Sequence, residues 1–346
     1  MNDAARTVTV LIASYLEPEY VRQIAAIEGV RVINEPALLP ATRYQCDHIG
    51  APLQRPEADE RRWRQYLAEA EVLFDFDHTN PGTLKDLIPR TRWIQGTSTG
   101  IGEFLVRTGL VDTPIIFTTA RGIHAKPLAD FVLMSMLWFA KGGFRMVRDQ
   151  VAHRWERYCG RDLTGATVGL VGLGTIGREV ARYCRVMGMR TVSTKRTPPT
   201  DAEREGVDVV VPLSELSTVL SQADFLVLAV PGTPQTKGLI GKAEIGAIKP
   251  GAVLINIARG AVVDEPAMIA ALRSCHLGGA ALDVFAKEPL PADSPLWDMP
   301  NVLVCPHSAS TVHSENAQLT TLFCENLRRY LHGEPLVNVF DKERLY

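Results

Sequence analysis

No C-x-x-C pair occurs in this chain. Its six cysteines, Cys46, Cys159, Cys184, Cys275, Cys305 and Cys324, are scattered without metal-ligand spacing. That argues against zinc or a disulfide framework and for core thiols in a reducing compartment. There is no excess of one charge either: 37 Lys and Arg stand against 39 Asp and Glu, for a net charge of −2. Such a balance carries no electrostatic footprint for nucleic acid or a membrane surface. The longest largely apolar run, Phe131–Ala140, is too short to span a bilayer. The polar N-terminus leads straight into the apolar stretch Val8–Ala13, so no signal peptide is expected. Internal repeats and low-complexity tracts are also missing. A soluble cytoplasmic protein is the expectation. At 346 residues, 46% hydrophobic and 22% charged, the chain is long enough for two domains with separate cores.

What is present centres on Thr167–Arg196. Val168–Val171 is short and apolar, as a buried parallel strand would be, and Gly172, Gly174 and Gly177 follow in the pattern G-x-G-x-x-G. Arg178–Gly188 reads as a helix with Val180, Ala181, Cys184 and Met187 on one face, and Arg190–Thr194 as the next strand. Between strand and helix, the first glycine permits a tight turn, the second the approach of a pyrophosphate, and the third close helix–strand packing. The helix N-terminus then offers N–H groups to the phosphates. An NAD site normally places an acid about 20 residues further on. Here that neighbourhood is Ser193-Thr194-Lys195-Arg196-Thr197, and two cations with adjacent hydroxyls suit a 2′-phosphate. NADP is therefore favoured over NAD, the plainer alternative being a solvated basic loop.

Around this unit the pattern alternates strand and helix, which predicts α/β architecture with parallel sheets. Strands are expected at Val8–Ala13, Val30–Ile33, Glu71–Phe76, Thr91–Gln95 and Ile115–Thr118, and helices at Pro18–Ile27, Glu57–Ala70 and Lys85–Ile88. Residues 36–56 look irregular. Pro127–Lys141 is a helix apolar nearly all round, to be buried between domains or against another subunit. Phe225–Val230, Val253–Ile257, Gly279–Leu282 and Val302–Cys305 are further strands, and Val312–His332 is a helix returning to the first domain. The expected division is 1–120 with 306–346 for substrate binding, and 121–305 for the dinucleotide.

Three polar residues follow strands: Arg259 after Val253–Ile257, Glu288 in the loop beyond Gly279–Leu282, and His307 after Val302–Cys305. Ligands of open α/β sheets bind outside the carboxyl ends of strands, so these residues converge on the cofactor crevice. An Arg, a Glu and a His at one nicotinamide suggest reduction of a 2-oxo acid. Arg259 would hold the carboxylate, His307 would protonate the carbonyl oxygen, and Glu288 would raise the His307 pKa. Singly, each has a plainer reading as a surface ion pair, a loop charge or a satisfied core histidine. Their shared placement after strands favours the catalytic one.

The stretch from about Leu163 to Ser310 closely resembles the D-isomer-specific 2-hydroxyacid dehydrogenase family. The resemblance rests on GLGTIG, VPGTPQTKGLI, INIARGAVVDEPAMIAAL, GGAALDVFAKEPLP and PNVLVCPHSAS. It implies two Rossmann-like domains with the active site in the cleft between them, and a homodimer. It also implies that Arg259 binds and polarises substrate, that Glu288 pairs with His307, and that His307 is the acid/base. Thr175 and Ile176 would meet the pyrophosphate, Val230, Pro231 and Thr236 the adenosine and phosphates, and Ala258 and Asp283 the nicotinamide. Thr99 and Gly100, in Ser98-Thr99-Gly100-Ile101, resemble a substrate-carboxylate loop, with Gly102 where the family often has Asp. Asp77 and His78 stand where the family more often has Val-Arg, and would read a distal group of the substrate or be solvated. Trp297 lies where some members place an aromatic near substrate, or it merely packs. Asp130 caps or orients the long helix.

The implied activity is an NAD(P)-dependent 2-oxoacid reductase, with glyoxylate or hydroxypyruvate the first guess. A phosphite-type dehydrogenase would keep the same triad. A dinucleotide-sensing, corepressor-like scaffold is the rival from another class. No metal, nucleic acid or membrane partner is expected.

Overall fold

The computed structural model describes residues 7–196 and 206–346. Contacts divide the chain into two units, 1–123 with 311–346 and 124–310. The sequence reading puts these joints at 120/121 and 305/306; in the structure His307 belongs to the second unit.

In chain order the first unit runs β1 (Val8–Ile12), α1 (Pro18–Ala25), β2 (Val30–Ile33), α2 (Glu57–Glu69), β3 (Val72–Phe74), α3 (Leu84–Leu87), β4 (Trp93–Gln95), α4 (Gly102–Arg107) and β5 (Ile116–Thr118). The second begins with α5 (Ala125–Lys141), α6 (Gly143–Val151), β6 (Thr167–Val171), α7 (Thr175–Val186), β7 (Arg190–Lys195) and β8 (Val209–Pro212). It continues through α8 (Leu216–Gln222), β9 (Phe225–Leu228), α9 (Lys242–Ala247), β10 (Val253–Asn256), α10 (Glu265–Arg273), β11 (Gly279–Leu282) and β12 (Val302–Val304). Helix α11 (Glu315–Leu331) returns to the first unit.

The first unit is a parallel sheet of order β2-β1-β3-β4-β5. Alternate residues of its apolar strands serve two cores, as the two-residue period of a strand requires. Leu11, Leu73 and Ile94 pack with Trp63 and Leu67 of α2, while Val10, Phe74 and Trp93 pack with Phe323 and Leu327 of α11. Phe323 stacks on Trp93 at 5.1 Å between ring centroids and meets Phe74 edge-on at 5.2 Å. The strand order reverses between β1 and β3, which places a crevice at their carboxyl ends.

The second unit is a parallel sheet of order β12-β11-β10-β9-β6-β7-β8. Its order reverses between β6 and β9, immediately beside the glycine turn. The two-domain α/β reading with parallel sheets therefore holds.

Two local expectations differ. Helix α7 starts at Thr175, three residues before the expected Arg178. Glycine disfavours helix, but a Cβ on Gly177 would lie 2.4 Å from the Gly172 carbonyl oxygen, so close packing requires glycine inside the first turn. Helix α5 buries Leu128, Val132, Met136 and Ala140 within its own unit, against Val168, Leu170 and Val180. Its apolarity is thus largely satisfied by the sheet it covers. Asp130 accepts a hydrogen bond from Tyr183 on α7 at 2.7 Å and so orients the helix it sits on.

Candidate active site

The glycine turn opens at a position that only glycine fills without strain. Gly172 has φ +104°, and a Cβ there would meet the Ala229 carbonyl oxygen at 2.8 Å. Gly174, by contrast, has nothing within 4 Å of a Cβ position, so open space lies over the turn. Gly174 precedes α7 in an extended conformation, and no side chain caps the helix that Thr175 and Ile176 begin. A helix N-terminus under open space fits a pyrophosphate. The Gly172 N–H donates to the Thr194 hydroxyl at 3.3 Å, which ties the end of β7 to the turn. Half-buried Lys195 and exposed Arg196 come next, where the ribose of a dinucleotide is read. Thr197 lies outside the described residues.

On the other side of the sheet reversal, β9 leads into Val230 and Pro231. Thr236 is buried, donating to the Pro231 carbonyl at 2.6 Å and accepting from Thr233 N–H at 2.9 Å. It shapes the loop through its own protein partners. Ala258 follows β10 and is held by Asn256, whose Oδ1 accepts from Ala258 N–H at 3.1 Å and whose Nδ2 donates to the Arg259 carbonyl at 3.2 Å. Asn256 was missed in the sequence; its signal was a buried amide closing the apolar strand Val-Leu-Ile-Asn. The Arg259 Nη1 donates to the Ala258 carbonyl at 2.8 Å. Gly260 lets this turn lie against the loop after β11, since a Cβ would come within 1.9 Å of the Phe285 carbonyl.

That loop carries Glu288. Its Oε1 accepts from Phe285 N–H at 3.0 Å and its Oε2 from His307 Nδ1 at 2.7 Å. His307, after β12, adopts φ +53°, a left-handed conformation uncommon outside glycine and stored at functional sites. Its backbone N–H donates to the Asp283 carbonyl at 3.0 Å. The buried Asp283 carboxylate accepts from Ser308 and Ala309 N–H at 2.8 and 2.9 Å. Asp283 thus shapes the turn that presents His307.

The electrostatics follow from these contacts. The Glu288 hydrogen bond raises the His307 pKa above the ordinary imidazole value, outweighing the opposing effects of burial and of the Arg259 charge. Burial pushes the Glu288 pKa up, but His307, the Phe285 N–H and the Arg259 charge together bring it below the usual range. Behind them, burial and Asp283 push the Cys305 thiol up to about 12, so it stays neutral. The structure therefore gathers Arg259, Glu288 and His307, while Asp283 and Thr236 face protein groups.

In the first unit, Thr99 and Gly100 lie on the loop from β4 to α4. Asp77 is buried rather than solvated, and its carboxylate is engaged by its own loop. It accepts from Thr79 N–H at 3.0 Å, from the Thr79 hydroxyl at 2.5 Å and from Asn80 Nδ2 at 3.2 Å. Sequence could not separate this turn-forming role from a ligand contact, because both use an Asp at a strand end. His78 instead faces Asp75, with Nε2 3.7 Å from Oδ2. Trp297 is half-exposed and donates from Nε1 to the Pro291 carbonyl at 2.9 Å. Among the described residues, no three His, Cys, Asp or Glu side chains gather as metal ligands, and no helix is long and apolar enough to cross a membrane.

Comparison with known proteins gives a consistent result. Residues 133–309 match the family model described as D-isomer specific 2-hydroxyacid dehydrogenase, NAD binding domain. An (S)-sulfolactate dehydrogenase from Chromohalobacter salexigens is 36% identical over 222 residues, covering 64% of this chain and 71% of that protein. Glyoxylate/hydroxypyruvate reductase B from Pectobacterium carotovorum is 35% identical over 263 residues, covering 74% of this chain and 81% of the relative. Among solved structures, an NADPH-dependent glyoxylate/hydroxypyruvate reductase from Sinorhizobium meliloti, in complex with NADP and sulfate, aligns with a TM-score of 0.80. It is 26% identical, and the alignment covers 98% of this chain and 100% of that one.

Proposed function

The chain belongs to the D-isomer specific 2-hydroxyacid dehydrogenase family, and from that premise we propose that it reduces a small 2-oxo acid with NADPH, glyoxylate or hydroxypyruvate first. It is an NAD(P)-dependent oxidoreductase acting on the CH–OH group of 2-hydroxy acids. The observation that carries the acid/base is the 2.7 Å contact between His307 Nδ1 and Glu288 Oε2.

The dinucleotide, held by Gly172–Gly177 and the loop from Val230 to Thr236, supplies when bound the hydride that carbon 2 of the oxo acid accepts. Ala258 would border its nicotinamide, and Lys195 and Arg196 would hold its 2′-phosphate. Arg259, a planar and permanent cation, holds the substrate carboxylate. Glu288 occupies Nδ1 of His307, so the proton that moves is the one on Nε2. That proton passes to the carbonyl oxygen, completing the hydroxyl, and neutral His307 keeps its Nδ1–H on Glu288. Solvent reprotonates Nε2. A homodimer is the proposed assembly.

The test is the initial rate of oxidation of NADPH, and separately of NADH, with glyoxylate, hydroxypyruvate, pyruvate and phenylpyruvate. Turnover with NADPH well above NADH is expected; a preference for NADH would overturn the role of Lys195 and Arg196. His307→Ala should lose about 10²- to 10⁴-fold in kcat while NADPH binding, followed by its fluorescence, is retained. Wild-type turnover in that variant would overturn the proton-donor assignment.

A further inference from the structure

One carboxylate near the acid/base pair has no part in the chemistry above. Glu265 opens α10, one residue after the helix cap, where the Asp264 side chain accepts from the Ala267 N–H at 3.0 Å. With the helix start satisfied by Asp264, the half-buried Glu265 side chain turns elsewhere. Its Oε2 accepts from the Ala286 N–H at 2.9 Å, 21 residues further along the chain. Ala286 lies in the loop after β11 that carries Glu288.

Residues 286–289 of that loop are exposed, so side-chain packing alone does not fix their course. Phe285 is buried, and its N–H donates to Glu288 Oε1 at 3.0 Å. The Phe285 carbonyl lies against Gly260, where a Cβ would come within 1.9 Å of it. Glu265 takes the next N–H, that of Ala286. The peptide between Phe285 and Ala286 is thus held from two sides by the segment that also carries Arg259. Beyond it, Glu288 Oε2 meets His307 Nδ1 at 2.7 Å. Every residue of this arrangement lies in the second unit.

We infer that Glu265 is a positioning residue for the acid/base, its carboxylate holding the loop backbone that sets Glu288 against His307. The inference rests on the reductase reading given above and assigns to that reaction a residue that touches no reacting atom.

Without Glu265 the Ala286 N–H would turn to water, and the exposed loop would be free to move off Gly260. A hydrogen bond weakens steeply as its geometry opens, so Glu288 would hold Nδ1 less well. The groups facing His307 are Glu288, Asp283 and Arg259, with the neutral Cys305 thiol behind Asp283. Glu288 raises the His307 pKa and Arg259 lowers it. Loosening Glu288 therefore lowers that pKa and moves the alkaline limb of the pH–rate profile to lower pH. The Ala286 N–H requires an acceptor rather than a charge, so Glu265→Gln keeps the hold.

The experiment compares reductive kcat/KM, with NADPH and the oxo acid that turns over fastest, on both sides of the ordinary imidazole value. The proteins are the wild type, Glu265→Ala, Glu265→Gln and Asp264→Ala. On the alkaline side Glu265→Ala should lose about 3- to 10-fold, the worth of one hydrogen bond, and on the acid side stay within about twofold of wild type. Glu265→Gln should restore the wild-type profile. Asp264→Ala, which uncaps the same helix, should lower the unfolding temperature and leave the limb in place. A Glu265→Ala loss equal at every pH, or an alkaline loss as large in Asp264→Ala, would mean general loosening and overturns the inference. Failure of Glu265→Gln to restore the profile overturns it as well. A second measurement needs no turnover: NMR titration of the His307 imidazole in the same proteins. The His307 pKa should fall in Glu265→Ala and return in Glu265→Gln; a wild-type titration in Glu265→Ala overturns the inference whatever the activity. Absence of NADPH oxidation with every acid would overturn the reductase reading, and the titration decides the role of Glu265 separately.

Discussion

Glu288 decides the pH range over which His307 can serve as an acid. Because the folded pKa of His307 is raised, the imidazolium is complete below the ordinary value of about 6.5 and is lost only as pH rises through the higher one. Reductive kcat/KM should therefore hold past the ordinary imidazole value and fall on its alkaline side. Glu288→Gln removes the charge that raises the pKa and should move that descending limb to lower pH, read from a pH–rate profile. An unmoved limb would mean that Glu288 does not tune the acid. Glu288 keeps its own charge well into acid, since its pKa is lowered, so no compensating protonation occurs near neutrality. These three residues were legible because their chemistry is distinctive and each follows a strand. Asp77 and Asp75 were not: two aspartates separated by one residue cannot be told apart until one is seen capping a turn and the other is seen buried beside an imidazole.

The glycine turn shows how one short motif divides its labour. Gly177 is fixed by packing, because a Cβ would press on the Gly172 carbonyl, a backbone atom that cannot swing aside. Gly177→Ala should cost about 1–3 kcal/mol of stability and weaken NADPH binding together, measured by thermal unfolding and fluorescence titration. Gly174 is fixed by nothing in the protein, since its Cβ would enter open space. Gly174→Ala should leave unfolding within about 0.5 kcal/mol of wild type and still weaken NADPH. Equal NADPH affinity in that variant would remove the turn from the cofactor site. The motif was readable in advance, whereas the start of α7 inside it was not, because helix propensity argues for a later start and only the close approach to Gly172 overrides it.

The two units differ in what they leave uncovered. In the second, Met146, Val147, Val151 and Tyr158 are exposed along and just after α6, and Trp155 is 95% exposed. Exposed apolar clusters of this kind mark association surfaces. The homodimer proposed above should therefore be lost in Trp155→Glu combined with Val151→Asp, observed as halving of the mass by sedimentation. A wild-type monomer would overturn it. The sequence pointed to α5 as an apolar surface; in the structure α5 buries one face on its own sheet, leaves Met134 exposed, and leads directly into this segment.

Composition, periodicity and motif order were sufficient for two α/β units with parallel sheets, for the glycine turn between strand and helix, and for the placement of Arg259, Glu288 and His307 after strands. Local rules produce all of these: alternation of strand and helix, glycine where backbone must approach, and chemistry at strand ends. Only folding decided which acids face their own backbone, that Asn256 and Asp283 shape the turns beside Arg259 and His307, and that Ser14 and His48 meet at the end of β1. Those outcomes depend on distances between segments tens of residues apart in the chain. No local pattern encodes such distances; close packing sets them.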